Sequence, residues 1–207
     1  MSNKFWKQFT AVLDFVFDLN VNTDKVNELY GACRFGHVEF FDLLFALDLI
    51  GQIDIMYAIY LASSNGHVDI VDKLFQIKEI KKIPVDLTDD NYAFCCASKN
   101  GHVAVVDRLL REHDCGVDPS AQNNAAIRYA SAHGHIAVVE RLLQEQEKEK
   151  GVDPTANNNY AFRWASSNGH VAVVDRLFQE SRIREQCLDP SEPNYLKFYY
   201  TKLASDL

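Results

Sequence analysis

The chain has 207 residues, 47% hydrophobic and 24% charged, the balance of a soluble protein that buries a substantial core, which excludes disorder. A formal net charge of -8 argues against phosphate backbones and anionic membrane surfaces, since both recruit clustered Lys and Arg, so neither nucleic acid nor membrane is expected as a partner. No stretch approaches the roughly 18 consecutive apolar residues of a membrane span.

The first segment carries Phe5, Trp6 and Phe9, then Asp14 and Asp18 among apolar residues, without a small-residue cleavage site, so it does not read as a signal peptide. Its Ala11-Val12-Leu13-Asp14-Phe15-Val16-Phe17 has the pattern found again at Ala172-Val173-Val174-Asp175-Arg176-Leu177-Phe178. Residues 1–22 are therefore expected to form a capping helix.

From residue 23 onward the chain repeats itself. Gly-His followed by Val or Ile stands at Gly36-His37-Val38, Gly66-His67-Val68, Gly101-His102-Val103, Gly134-His135-Ile136 and Gly169-His170-Val171, at intervals of 30, 35, 33 and 35 residues. A period of this size marks a stacked solenoid. Before each Gly-His lies an apolar segment such as Tyr57-Ala58-Ile59-Tyr60-Leu61-Ala62-Ser63 or Tyr160-Ala161-Phe162-Arg163-Trp164-Ala165-Ser166, with alanine at the second and sixth places. Four residues apart on a helix is one face, and small residues there let neighbouring helices approach. After each Gly-His comes a second helix, such as Val103 to Leu110, whose apolar residues at i, i+3 and i+6 or i+7 predict a buried stripe with Asp and Arg left outside. The intervening glycine supplies the left-handed conformation that ends the first helix.

Polar connections then run to Pro84-Val85-Asp86, Gly116-Val117-Asp118-Pro119, Gly151-Val152-Asp153-Pro154 and Cys187-Leu188-Asp189-Pro190. Ser120 to Asn124 and Thr155 to Asn159 follow two of these and read as projecting finger turns that also cap the next helix. The resulting division is five hairpins, 23–53, 54–86, 87–118, 119–153 and 154–189, between the opening cap and a C-terminal capping helix at 190–207, where Tyr199 replaces the alanine equivalent to Ala165.

These units resemble the ankyrin repeat: the Gly-His turn, the second helix with Val-Val and Leu-Leu, and the Gly-Val-Asp-Pro lead-in all match. The expected fold is an all-α, ankyrin-type solenoid of stacked helix-turn-helix repeats with short finger turns. The departure is at the first helix, where Tyr160-Ala161-Phe162-Arg163 or Ala125-Ala126-Ile127-Arg128 replaces Thr-Pro-Leu-His, so Asn91, Asn124 and Asn159 are candidate substitute caps. The variant looks like the diverged arrays of large DNA viruses and intracellular bacteria, which implies action on host targets, with the cytoplasm, or the host cytosol, as the place.

The resemblance implies a partner protein bound on the concave face by the residues before each glycine: Arg34 and Phe35, Ser64 and Asn65, Lys99 and Asn100, Ala132 and His133, Ser167 and Asn168. Finger residues Asp89, Asp90, Gln122, Asn123, Asn157 and Asn158 extend that surface, whose amides and small polar groups suit hydrogen bonding more than a greasy groove. Asn65, Asn100 and Asn168 also precede glycine, where Asn tolerates left-handed geometry near a helix end. A monomer is expected.

No cofactor, metal or catalytic site is expected. His37, His67, His102, His135 and His170 recur one per repeat and read as turn residues bonded to backbone, because ligands of one zinc must lie about 2 Å from it whereas packed helices are about 8 to 10 Å apart. The cysteines Cys33, Cys95, Cys96, Cys115 and Cys187 are odd in number and lack paired spacings, which points to a reducing compartment. The charge runs Gln144 to Lys150 and Lys78 to Lys82 read as solvated faces. His113 near Cys115 reads as an exposed loop. Two other classes compete with the interaction module: an enzyme with a groove site around Cys95, Arg128 and His133, and a structural array that self-assembles end to end.

Overall fold

A computed structural model describes residues 22–46, 54–87, 91–112, 115–146 and 151–188, so the caps expected at 1–22 and 190–207 lie outside the described residues except for Asn22. The helices are α1 (Asn22–Phe35), α2 (Val38–Ala46), α3 (Ile55–Ser64), α4 (Val68–Lys81), α5 (Tyr92–Lys99), α6 (Val103–Arg111), α7 (Ala121–Ala132), α8 (Ile136–Leu143), α9 (Ala156–Ser167), α10 (Val171–Phe178) and α11 (Ser181–Leu188). The odd-numbered helices from α1 to α9 stack on one another as an inner layer. The even-numbered ones stack as an outer layer, and each pair is a hairpin.

Each inner helix stops for the same local reason. His67 donates its backbone N–H to Ala62 at 2.9 Å and Gly66 donates to Ser63 at 3.3 Å, and the same two bonds recur at His102 with Gly101, His135 with Gly134 and His170 with Gly169. This 6→1 and 5→2 pattern needs a left-handed residue after the helix. Gly66, Gly101, Gly134 and Gly169 supply it at φ between 75° and 82°. The outer helix begins at the next residue but one, so the turn is as short as the chain permits.

The alanines pack as the period predicts: Ala58, Ala62, Ala97, Ala130, Ala161 and Ala165 are wholly buried between stacked helices. Ile59, Phe94, Ile127 and Phe162 fill the space between the layers, each contributing about 1.5 to 3 kcal/mol by burial. In the outer helices the buried set is Val105, Val106 and Leu109, with Val138, Val139, Leu142 and Val173, Val174, Leu177 as equivalents. The stripe therefore runs i, i+1, i+4. Val103 and Val171, expected inside, are exposed, whereas Val38, Val68 and Ile136 at the same place are partly buried against the core.

One residue in each of the two charge runs is covered, while Glu79, Lys81, Lys82 and Gln144 are exposed as expected. Lys78 is buried and pairs with Glu112 at 3.2 Å, and Glu145 is buried against Arg141, four residues before it, at 2.6 Å. The Lys78 pair is one of several that link successive hairpins, with Asp42 to Lys73 at 2.6 Å, Asp72 to Arg108, and Asp107 to Arg141 at 2.8 Å. Although burial pulls the Lys78 pKa down, its contacts with Cys115 and Glu112 outweigh that and raise it. A further difference is α11, a helix where a polar connection was expected; its Ile183 is wholly buried.

Candidate functional site

The finger turns have an unusual backbone. Gln122, Asn123 and Asn124 lie at φ 53°, 55° and 60°, and Asn157, Asn158 and Asn159 at φ 54°, 56° and 55°, so each finger is a three-residue left-handed turn leading into an inner helix. Left-handed geometry costs roughly 1 to 2 kcal/mol per ordinary residue and least for Asn, which explains the asparagine runs. Something must hold the turn. Arg128 does so by donating Nε to the Asn123 carbonyl at 2.9 Å and Nη2 to the Gln122 carbonyl at 3.0 Å, and Arg163 donates to the Asn157 carbonyl at 3.2 Å.

The last asparagine of a finger bonds forward rather than capping its own helix. Asn91 Oδ1 accepts the Asp118 N–H at 2.9 Å and Asn124 Oδ1 accepts the Asp153 N–H at 2.7 Å, so each ties its finger to the base of the next. Asn91 and the residues before α7 and α9 make no side-chain cap bond to their helices. By contrast α3 is capped in the ordinary way, by Asp54 Oδ1 accepting from Met56 and Tyr57 at 3.0 Å each. The finger bases are tied locally as well, since Asp118 Oδ1 accepts from Ser120 and Asp153 Oδ1 from Thr155.

The repeated histidines cross between hairpins. His67 Nε2 donates to the Arg34 carbonyl at 3.0 Å, His102 to Ser64 at 3.2 Å, His135 to Lys99 at 2.9 Å and His170 to Ala132 at 3.0 Å. Each ring also lies on the preceding glycine, where an added Cβ would sit 2.5 or 2.6 Å from Nδ1. Asn100 and Asn168 reinforce two of these links, donating Nδ2 to the Ser64 carbonyl at 2.8 Å and the Ala132 carbonyl at 2.7 Å, while Asn65 bonds Leu61 of its own helix at 2.9 Å. None of the three asparagines is left-handed; they lie at φ -106°, -94° and -92°, with the glycine taking the positive φ. Their value is the amide bond.

Of the other residues expected on the face, Arg34, Phe35, Lys99, His133 and Ser167 are exposed beside these turns, as are finger residues Gln122, Asn123, Asn157 and Asn158. Ser64 is half-buried and bonds Leu61, and Ser167 bonds Trp164 at 3.1 Å. Asp89 and Asp90 lie outside the described residues.

Besides the expected Phe35, the inner helices carry exposed aromatic rings beyond the small polar groups expected there. Phe35 is 64% exposed, Tyr92 58%, Tyr57 45% and Trp164 44%, and all four stand on inner helices. Rings meet from one hairpin to the next: Tyr30 against Tyr57 at 4.9 Å edge to face, and Tyr60 against Tyr92 at 5.0 Å. In the later hairpins Arg128 takes the equivalent place, 4.9 Å over Tyr160, which in turn stacks on Trp164 at 5.3 Å. This accounts for the altered starts at Tyr57, Tyr92 and Tyr160, while α7 has Ala125 at that place. Tyr at the first place meets Tyr or Arg at the fourth place of the preceding hairpin, an inter-repeat contact where the family uses Thr and His. The signal was available, since a recurring Tyr57, Tyr92 and Tyr160 is not required by core packing.

Cys95, Arg128 and His133 do not assemble into one reactive group. Cys95 is buried, Arg128 is engaged with the finger carbonyls, and His133 Nδ1 bonds the Tyr129 carbonyl at 2.9 Å while its ring stacks on His135. Five residues of helix, about 7.5 Å along the axis, separate Arg128 from His133. Cys96, next to Cys95, is half-buried and burial raises its thiol pKa, which disfavours the thiolate. Burial likewise pushes the Cys33 thiol up to about 12. Among the described residues no three His, Cys, Asp or Glu side chains group as a metal site, and no helix is long and apolar enough to cross a membrane.

Comparison with protein families matches the chain to ankyrin repeats (3 copies), over residues 29–123, 55–158 and 94–187. A search of curated proteins gave no match.

Proposed function

Since this chain belongs to the ankyrin-repeat family, whose repeats are generally protein-protein interaction modules, we propose that it binds a partner protein along the concave face built by the inner helices and finger turns, and that it is not an enzyme. The observation that carries the reading is that Phe35, Tyr57, Tyr92 and Trp164, four large rings on inner helices, are left exposed in a stack whose other apolar residues are mostly packed. Large exposed rings mark interaction surfaces, and Tyr, Trp and Arg are the residues that dominate binding energy when a partner excludes water from them. The scaffold beneath is rigid: His and Asn bonds tie each inner helix to its neighbour, so a partner meets a preformed surface.

A photo-crosslinking side chain placed at Lys99, on this face, is expected to capture a partner protein in cells, whereas the same group at Glu140 on the outer layer captures none. Equal capture from both positions, or capture from Glu140 alone, would remove the inner face from the account.

A further inference from the structure

The charge on the two layers is segregated. Among the inner helices, α3, α5, α7 and α9 contain no carboxylate and α1 carries Asp24 and Glu28, while the inner layer presents Arg34, Lys99, Arg128 and Arg163. None of these four cations makes an ion pair with another described residue; Arg128 and Arg163 spend some of their donors on backbone carbonyls only. A guanidinium has five N–H donors, so both keep donors for a ligand. At the finger bases Asp118 and Asp153 accept from the neutral Ser120 and Thr155 hydroxyls, so their charge stays at the base of the finger, off the inner helices themselves.

The outer layer differs. It carries exposed Asp42, Asp69, Glu79, Glu140 and Asp175, and its own cations Lys73, Arg108 and Arg141 are paired with carboxylates there. A helix diameter of about 10 Å separates the two surfaces, more than the screening length of about 8 Å at physiological ionic strength. The net charge of -8 therefore does not cancel the field of the inner face at close range.

Resting on the binding function above, we propose that the partner segment is an acidic, extended peptide whose carboxylates meet Arg34, Lys99, Arg128 and Arg163 and whose apolar side chains lie on Phe35, Tyr57, Tyr92 and Trp164. Cations and rings stand close to one another on the inner helices, so both contacts are offered within a short reach: Arg128 lies 4.9 Å over Tyr160, and Arg34 lies 5.7 Å from the Phe35 ring. Five inner helices about 10 Å apart span about 40 Å, a distance that an extended peptide covers with about twelve residues. A nucleic-acid strand fits less well, because it presents a phosphate at every nucleotide to only four fixed cations, on a molecule whose overall charge repels polyanions.

The test is selection from a random twelve-residue display library on the immobilised full chain, in parallel with Arg34→Glu/Lys99→Glu, two exposed positions with no described structural bond from the charged group. Acidic peptides with interspersed apolar residues are expected from the parent, with affinity falling about tenfold in the double variant and with rising salt. Enrichment with no acidic bias, or with a bias unchanged by the double reversal, would overturn the inference and leave partner binding standing. No enrichment at all would count against both. An oligothymidine bound more tightly than the selected peptides would also overturn it, in favour of a nucleic-acid ligand.

Discussion

The earlier and later hairpins use different side chains at the same place between successive inner helices. In the earlier part, Tyr30 meets Tyr57 and Tyr60 meets Tyr92, ring against ring, and the helix before the contact needs no arginine. In the later part, Arg128 lies over Tyr160 and also holds the Gln122 and Asn123 carbonyls of its own finger. The difference teaches that exposed positions of a stacked array are free to change chemistry as long as the link beneath them is kept. That link is the glycine turn and the histidine that covers it, present in both parts.

The largest expected effect comes from breaking what the two parts share. Gly66→Ala and Gly134→Ala each place a methyl group 2.6 Å from a histidine Nδ1 at φ of 82° and 79°. Each is expected to cost about 3 kcal/mol, of which about 1 to 2 comes from the left-handed backbone and the rest from displacing the ring and its hydrogen bond. Gly169→Ala, at φ 75° with no atom of the described residues within 4 Å, should lose only the backbone part. Urea unfolding of the three variants decides it; equal losses would mean that the ring contact contributes nothing.

A smaller effect separates the two parts. Arg128→Leu removes two donors from the finger carbonyls and should raise amide exchange of residues 122–124 by roughly five- to tenfold, at a global cost of about 1 kcal/mol. Tyr60→Leu should weaken the Tyr92 contact by a similar amount and leave exchange at 122–124 unchanged. If both variants loosened that finger, the parts would not be separable in this way.

The smallest effect is a pH dependence located where the two parts join. Burial holds the His102 pKa below its ordinary value of 6.5, outweighing the bond to the Ser64 carbonyl that would raise it. The folded chain thus favours the neutral ring, so the stabilisation is complete above pH 6.5 and drains as pH falls from there toward the folded pKa, where it levels off. His102→Gln should flatten that part of the profile of denaturation midpoint against pH. An unchanged profile would place the titration elsewhere.

Much of this architecture could be read from the chain because its causes are local. The alanines four apart and the left-handed glycine each follow from spacing or backbone geometry within about ten residues, and the Gly-His period shows by its recurrence alone. What escaped depends on partners one repeat away. Asn124 looks like a helix cap until its acceptor is seen to hold Asp153, and Lys78 looks solvated until Glu112, 34 residues on, covers it. The face was legible at Arg34, Phe35 and Lys99, which break the local pattern. Its aromatic character was not, because Tyr57 and Tyr92 were counted with the helix that carries them rather than with the neighbour that Tyr92 and Tyr30 touch across the gap.

The histidine bond has a polarity worth drawing out. Among the described residues, the rings of His67, His102, His135 and His170 all reach backward, to a carbonyl and a glycine in the unit before. A unit transplanted to another position thus needs a clear glycine on its predecessor's turn and must offer one to its successor, so shuffling succeeds in one orientation only and lengthening the array is a matter of copying whole modules in register.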